Sequence, residues 1–93
     1  MTEVWLGRHL ASFDGRVLEV WGPTKANGRL HIAAIRDVVI EPAKRDELCI
    51  DFQTIWGAGN LLLKFPAAQR ATAEQFALVV RQARPPQAAP AGK

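Results

Sequence analysis

The sequence has a single cysteine, Cys49, and no apolar run that approaches the roughly 18 residues typical of a membrane-spanning helix. One cysteine cannot form an internal disulfide, so we expect a reduced thiol and a cytoplasmic protein. The amino-terminal segment carries Glu3 and lacks a long apolar core, which argues against a signal peptide. A net charge of +3 without a dense run of lysine and arginine does not predict nucleic-acid binding.

Residues with catalytic or metal-binding chemistry are few, and none has the spacing of a known motif. His9 and His31 lie in strand-like segments without a cysteine or carboxylate at metal-ligand spacing, so both are expected to be structural. Cys49 and Asp51 share one face of a predicted strand, where the carboxylate would raise the pKa of the thiol rather than activate it. We therefore predict no enzyme activity, no cofactor and no metal site.

Length and composition predict one domain with one hydrophobic core. The chain has 93 residues, of which 48% are hydrophobic, and this is enough for one core with a modest margin of stability. Residues 86–93 follow Pro85 and contain no large apolar side chain, which predicts a flexible tail of proline and alanine. We therefore expect a single domain over residues 1–85.

Alternating apolar residues and turn signals predict five or six antiparallel strands. The segment EVWLGRHLASF is followed by Asp14-Gly15, which suits a two-residue hairpin turn, and then by RVLEVWG. A break in the pattern is expected near Ala33-Ala34. The clearest strand is ELCIDFQTIW, and its predicted core-facing residues are Leu48, Ile50, Phe52 and Trp56. The alternative for Trp56 is an exposed contact residue on the following turn.

The segment RATAEQFALVVRQARPP predicts one helix at the carboxy-terminal end of the domain. Thr72 is a suitable N-cap, and Gln75 completes a capping-box pattern. Pro85 is expected to end the helix. An apolar stripe at helical spacing consists of Ala73, Phe76, Ala77 and Val80. We expect this stripe to cover the open mouth of a strongly bent sheet.

The order of these elements, together with HLASFDGRVLEV, HIAAIRDVVIEP and AEQFALVVRQA, resembles the pleckstrin-homology (PH) superfold. The resemblance is to short bacterial PH-like domains from uncharacterised families, and it covers residues 8–84. Its most specific parts are the FDG turn and the apolar pattern that leads to Glu41-Pro42. It implies an α+β fold in which a strongly bent antiparallel sheet, or partly open barrel, of five to seven strands is capped by one C-terminal helix.

The same resemblance implies a non-catalytic binding module. Eukaryotic PH domains bind phosphoinositide headgroups or peptides, whereas the bacterial domains resemble protein-interaction and oligomer-forming units. The first hairpin loop of this sequence is short and carries Asp14, so it lacks the dense lysine and arginine set of the lipid-binding domains. Phosphoinositide binding is therefore disfavoured.

Trp5 and Trp21 are the candidate interface residues. Trp21 shares a strand face with Glu19, opposite Leu18 and Val20, so we expect it on the less buried face. Trp5 lies near the amino terminus and either covers that face or pairs along an edge strand. Large exposed aromatic side chains often anchor a protein partner. The favoured function is therefore binding of a protein partner or of a second copy of the chain.

A group of basic residues supports a second hypothesis. If the strands form a simple meander with a break near Ala33, the turns at one end of the sheet bring together Lys25, Arg29, Lys44 and Arg45. If Leu30 to Ile40 is instead one unbroken strand, the two basic turns lie at opposite ends and the group does not form. Such a group favours an adaptor that contacts an anionic lipid surface or another acidic ligand. Exposed lysine and arginine residues more often only keep a protein surface solvated, which makes this the less favoured function.

Overall fold

The computed structural model describes residues 1–22, 28–57 and 60–83. Within these ranges the strands are β1 (Thr2–Leu6), β2 (His9–Phe13), β3 (Val17–Trp21), β4 (Gly28–His31), β5 (Ile35–Pro42), β6 (Glu47–Thr54) and β7 (Leu61–Pro66). The helix α1 spans Arg70–Ala83, and 3-10 turns at Ile32–Ala34 and Ala67–Gln69 precede β5 and α1. The predicted α+β class and the carboxy-terminal helix are confirmed. The predicted tail, residues 86–93, lies outside the described residues.

The strands form two antiparallel sheets. β1 to β4 pair in sequence order in the first sheet, and β5 to β7 pair in sequence order in the second sheet. The 3-10 turn Ile32–Ala34 separates them, at the break that the sequence predicts. Here the Ile32 N–H donates to the Arg16 carbonyl at 2.6 Å, and the Ile55 N–H donates to the Ala34 carbonyl at 2.9 Å. Over the described residues the two sheets do not close into a barrel.

The segment EVWLGRHLASF forms two strands rather than one. It turns at Gly7 and Arg8, so that Leu6 of β1 pairs with His9 of β2. Gly7 has a φ of +62°, and a Cβ at this position would lie 3.2 Å from the Lys64 carbonyl oxygen. Glycine is thus favoured both by the left-handed backbone and by the close approach of β7. Because apolar residues occur on both sides of this turn, the sequence pattern looks like one continuous strand and does not reveal the turn.

The hairpin turn between β2 and β3 is longer than predicted. It contains Asp14, Gly15 and Arg16, and Gly15 adopts a φ of +97°. Oδ1 of Asp14 accepts hydrogen bonds from the N–H groups of Val17 and Arg16, each at 2.8 Å. These bonds lower the pKa of Asp14 below its ordinary value. The aspartate is therefore the residue that orders this turn.

Strand β7 crosses the first sheet from one edge to the other. At its start, Leu61 packs against Gly28 of β4, where a Cβ would overlap with the leucine side chain. At its end, Lys64 and Pro66 lie against Gly7, next to β1. β1 and β4 are the two edge strands of the first sheet. The strands of the two sheets therefore cross instead of running side by side.

The helix buries the apolar stripe that the sequence predicts. Ala73, Phe76, Ala77 and Val80 are buried, and α1 packs against β1 of the first sheet and β5 of the second. The ring of Phe76 meets that of Phe52 edge to face, with centroids 6.2 Å apart and an interplanar angle of 89°. The stripe thus joins the two sheets into one core. No helix in the described residues is long and apolar enough to cross a membrane.

The predicted N-cap at Thr72 is wrong. The chain enters α1 through the 3-10 turn Ala67–Gln69, so the helix begins at Arg70 and Thr72 lies inside it. The Gln69 side chain anchors this start because its Oε1 accepts from the Gly7 N–H at 2.7 Å and its Nε2 donates to the Trp5 carbonyl at 2.9 Å. A contact with a distant hairpin, which the local capping pattern does not reveal, sets the start of the helix.

The predicted core position of Trp56 is also wrong, because its side chain is 68% exposed. β6 ends at Thr54, which is fully buried, and the chain then turns. The N–H and Oγ1 of Thr54 lie 2.9 and 3.3 Å from the Asn60 side-chain oxygen. Alternation therefore stops before Trp56, which lies on the turn, as in the alternative that the sequence leaves open.

Replacing Phe76 with alanine should lower the free energy of unfolding by about 3–5 kcal/mol, because it leaves a cavity between α1 and Phe52. Leu78→Ala is the matched control, since Leu78 lies on the same helix but is exposed, and it should cost about 1 kcal/mol or less. Urea unfolding followed by circular dichroism measures both. Equal losses would contradict the role of Phe76 as the contact between helix and sheets.

Candidate functional site

Two exposed tryptophans and a leucine form a row across the first sheet. Trp5 of β1 pairs with Leu10 of β2, and Leu10 pairs with Trp21 of β3. Directly paired residues of an antiparallel sheet project to the same face, with Cβ atoms about 4.5–5.5 Å apart. Trp5 is 60% exposed and Trp21 is 41% exposed. We call these three residues the tryptophan row, and they lie on the face that points away from the core.

The next row on the same face is polar, with two carboxylates and one guanidinium. It contains Glu3, Ser12, Glu19 and Arg29, in consecutive pairing from β1 to β4. Glu19 and Arg29 form an ion pair with Nε 3.4 Å from Oε2. Both groups are partly solvated, so this pair contributes little to stability, but it balances two charges beside the aromatic row. An apolar row with a polar border is the usual composition of a protein interface.

The sequence analysis identifies both tryptophans but not Leu10. Strand alternation places Trp21 on the outer face, as predicted, and the pairing register adds Trp5 and Leu10 beside it. The missing information was the turn at Gly7 and Arg8. Without it, Trp5 and Leu10 appear to belong to one strand, five residues apart and on opposite faces.

The four predicted anion contacts do not form one group in the described residues. Lys25 lies outside the described residues. Arg29 is paired with Glu19 on the outer face of the first sheet. Lys44 and Arg45 are exposed on the turn between β5 and β6. The structure therefore keeps Lys44 and Arg45 together and places Arg29 elsewhere.

The crossing of the two sheets explains this separation. Arg29 follows Gly28, which packs against the start of β7. The turn that carries Lys44 and Arg45 lies at the other end of β7, where the Asp46 carbonyl accepts from the Ala67 N–H at 2.9 Å. Six residues of strand span about 17 Å. The simple meander that the prediction assumed would have brought these turns to one end of a single sheet.

Two other basic residues, Arg8 and Lys64, lie near the turn that carries Lys44 and Arg45. A cavity of about 380 Å³ between the β1–β2 turn and the end of β7 is lined in part by Arg8, His9, Glu47 and Lys64. Nδ1 of His9 is buried and has no hydrogen-bond partner among the described residues. The cavity therefore combines two cations with one carboxylate, close to the turn at residues 43–46.

A larger groove, of about 550 Å³, lies between α1 and β5. Its charged walls are already paired within the chain: Arg70 with Glu74 at 3.0 Å, and Arg81 with Asp37 at 3.5 Å. The pair of Arg81 and Asp37 also caps the free edge of β5. Asp37 accepts a hydrogen bond from the Val38 N–H at 2.7 Å, and Arg81 donates one to the Val38 carbonyl. Capping of this kind protects an edge strand against pairing with another chain.

The residues considered for catalysis have structural surroundings. Nδ1 of His31 accepts from the Ala33 N–H at 3.1 Å and so begins the 3-10 turn. Cys49 is half-buried on the outer face of the second sheet, paired with Glu41 and Lys64. In residues 1–22, 28–57 and 60–83 no three histidine, cysteine or acidic side chains are placed to hold a metal ion.

Burial raises the pKa of the Cys49 thiol above its ordinary value, and the charges of Asp51 and Glu41 raise it further. The sequence predicts the effect of Asp51, and the structure confirms it. A thiol with a raised pKa is largely protonated near neutral pH and is a poor nucleophile.

Comparison with known proteins finds no matching family model, no matching curated protein and no matching solved structure. The interpretation of the surface therefore depends on its geometry and charge.

Replacing Asp51 with asparagine should lower the pKa of Cys49, because it removes a nearby negative charge that disfavours the thiolate. The pH dependence of alkylation by iodoacetamide measures this, and the rate near pH 8 should rise. Asp46→Asn is the matched control, since Asp46 does not act on Cys49 and its φ of 58° suits asparagine. An unchanged profile in Asp51→Asn would show that the carboxylate does not act on the thiol.

Proposed function

We propose that this protein is a non-catalytic binding module that recognises a protein surface, in the first instance a second copy of itself, through the tryptophan row. The observation that carries the proposal is the alignment of Trp5, Leu10 and Trp21 on one exposed sheet face. Tryptophan buries a large area with few rotatable bonds, and for this reason it is enriched among the residues that dominate binding energy. A cytoplasmic location agrees with this proposal and is proposed with it.

Self-association is favoured by the charge and shape of this face. The ion pair of Glu19 and Arg29 leaves a net charge of one, on Glu3, in the polar border row, so a second copy would meet limited repulsion. A flat row across three strands can also meet the same row of another copy around a two-fold axis. The other partner that fits this face is a different protein that presents an apolar patch.

The proposal includes a PH-like fold. The resemblance implies five to seven antiparallel strands capped by one carboxy-terminal helix, and the strands of the described residues, followed by a helix whose apolar stripe packs on both sheets, support the assignment. PH-like domains commonly serve as binding modules, which agrees with the function proposed from the tryptophan row. Because only the fold agrees, it supports a binding module as the class of function but does not identify the partner.

Contact with an anionic lipid surface or another acidic ligand remains the second candidate. It is supported by the cavity that Arg8 and Lys64 line and by the exposed Lys44 and Arg45 on the adjacent turn. Glu47 in the same cavity weakens the positive potential. We therefore rank this candidate below the tryptophan row.

Replacing Trp21 with alanine should abolish self-association, because it removes one end of the aromatic row. Size-exclusion chromatography with light scattering at micromolar concentrations measures it, and we expect the wild-type protein to exceed the mass of one chain. Trp56→Ala is the matched control, since Trp56 is exposed but lies on the turn after β6. It should leave the mass unchanged.

A monomeric wild-type protein would rule out self-association. Photo-crosslinking in cells from a reactive residue at position 10 then tests for a different partner, because position 10 lies at the centre of the row. A crosslinked product that Trp21→Ala removes would support the binding module. The absence of such a product would refute it.

Replacing both Lys44 and Arg45 with glutamate tests the second candidate. If the turn contacts anionic surfaces, cosedimentation with vesicles that contain phosphatidylserine should fall at least several-fold, and added salt should weaken the wild-type binding. Arg29→Glu is the control, with a charge reversal at one residue instead of two, and it should have less than half the effect because Arg29 follows Gly28 at the start of β7, whereas the turn lies at the end of that strand. Binding that resists salt would exclude the electrostatic contact.

A further inference from the structure

The tryptophan row has an aromatic side chain at each end and an aliphatic one between them. Trp5 and Trp21 are separated by one strand, because each pairs directly with Leu10 of β2. Neighbouring strands lie about 4.7–4.9 Å apart, so the two tryptophans are about 9.5 Å apart across the sheet. Leu10 is half-buried. The row thus presents two separate aromatic contacts instead of one continuous patch.

The spacing of the two tryptophans matches the repeat of a polyproline II segment. Such a segment has three residues per turn and rises about 3.1 Å per residue, so residues i and i+3 project to the same side about 9.3 Å apart. One turn of an α-helix rises about 5.4 Å, and two residues of a strand span about 6.6 Å, which are both too short. A polyproline II segment that crosses the strands therefore meets both tryptophans one turn apart.

The polar border of the row carries one unpaired charge beside Trp5. Glu3 precedes Trp5 by two residues on β1 and therefore projects from the same outer face. It forms no ion pair with another described residue, whereas Glu19 in the same border row is paired with Arg29. A basic residue in the bound segment is thus favoured at the Trp5 end of the row.

The carboxy-terminal end of this chain contains a segment with the matching features. Residues 84–90, which lie outside the described residues, have the sequence RPPQAAP. Two consecutive prolines favour the polyproline II conformation, because each ring fixes φ close to its value in that helix. Arg84 directly precedes the prolines, and Ala89 follows Pro86 by one turn. The segment therefore offers a cation, two proline rings and then a small residue that lets the backbone approach a second ring.

The prolines of the same chain are too far from Trp5 to bind it. The helix α1 begins beside Trp5, because Nε2 of Gln69 donates to the Trp5 carbonyl at 2.9 Å, and it ends at Ala83. Its 14 residues span about 21 Å. The three residues from Ala83 to Pro86 add a reach of at most about 11 Å. A second copy of the chain must therefore supply the segment.

We propose that the tryptophan row binds residues 84–90 of a second copy as a polyproline II segment. The two consecutive prolines stack on Trp5, Arg84 donates to Glu3, and the next turn of the segment contacts Trp21. Proline-rich segments suit aromatic surfaces because their bound conformation is largely formed beforehand. Two copies exchange their ends reciprocally, so two linked contacts hold one dimer. This inference rests on the proposed function, in which the row is the binding surface, and it names what the row binds.

Titration with an acetylated peptide of residues 84–93 tests the contact directly. The receiving protein is the labelled full chain with Pro85→Ala and Pro86→Ala, so that its own end does not compete. Two-dimensional NMR at up to millimolar peptide should show saturable shifts centred on the three residues of the tryptophan row. A peptide with the same two substitutions should bind at least several-fold more weakly. Equal binding of both peptides, or shifts away from the row, would overturn the proposal.

The contact between Arg84 and Glu3 gives a second measurement. Arg84→Gln in the peptide should weaken binding about two- to fivefold at low salt, as expected of an exposed ion pair. When the receiving protein also carries Glu3→Gln, the two peptides should bind equally. Glu41→Gln, on the outer face of the second sheet, is the matched control and should preserve the difference. A difference that survives Glu3→Gln would show that the arginine binds elsewhere and that the proposed contact is wrong.

Light scattering separates this inference from the proposed function. The full chain with Pro85→Ala and Pro86→Ala should have the mass of one chain at concentrations at which the wild-type protein is larger, whereas Gln87→Ala should keep the wild-type mass. If the proline variant still associates and Trp21→Ala does not, the row meets another surface of the second copy, so the proposed function stands and this inference fails. If Trp21→Ala also associates, both fail. A wild-type protein with the mass of one chain overturns the exchange as well.

Discussion

The burial of Phe76 against Phe52 is the contact on which the rest of the structure depends. The two sheets are separate hydrogen-bonded units, and their strands cross, so backbone pairing does not hold them together. The apolar stripe of α1 packs on β1 of one sheet and β5 of the other. Because a domain of this size buries a limited fraction of its surface, one such contact carries a large share of the margin of stability.

The inner faces of the two sheets form the core, and their outer faces differ in chemistry. The first sheet presents the tryptophan row beside a balanced ion pair. The second sheet presents Asp51 between Val39 and Leu62. The tryptophan row consists of directly paired residues across neighbouring strands, and the rigidity of a sheet fixes their spacing before any partner arrives. A preorganised surface of this kind loses less conformational entropy on binding.

The residues of the two surfaces differed in how far the sequence revealed them. Trp21 could be placed on an outer face because strand alternation is a local property. Leu10 could not be joined to it, because this requires the register across two turns. Trp56 was misplaced because alternation was continued past the end of β6. Asp51 was expected to face away from the core, but its burial depends on neighbours from β5 and β7 that are distant in the sequence.

Local sequence patterns are sufficient to predict the α+β class, the break before β5 and the buried stripe of α1, because periodicity and turn residues act over a few neighbouring positions. Long-range packing sets the division into two crossed sheets, the start of the helix at Arg70 and the separation of Arg29 from Lys44. Each of these depends on a contact between distant segments, such as Gln69 with the Gly7 turn or Gly28 with Leu61. No local pattern encodes which distant residues will meet, since that is settled by how the whole chain packs.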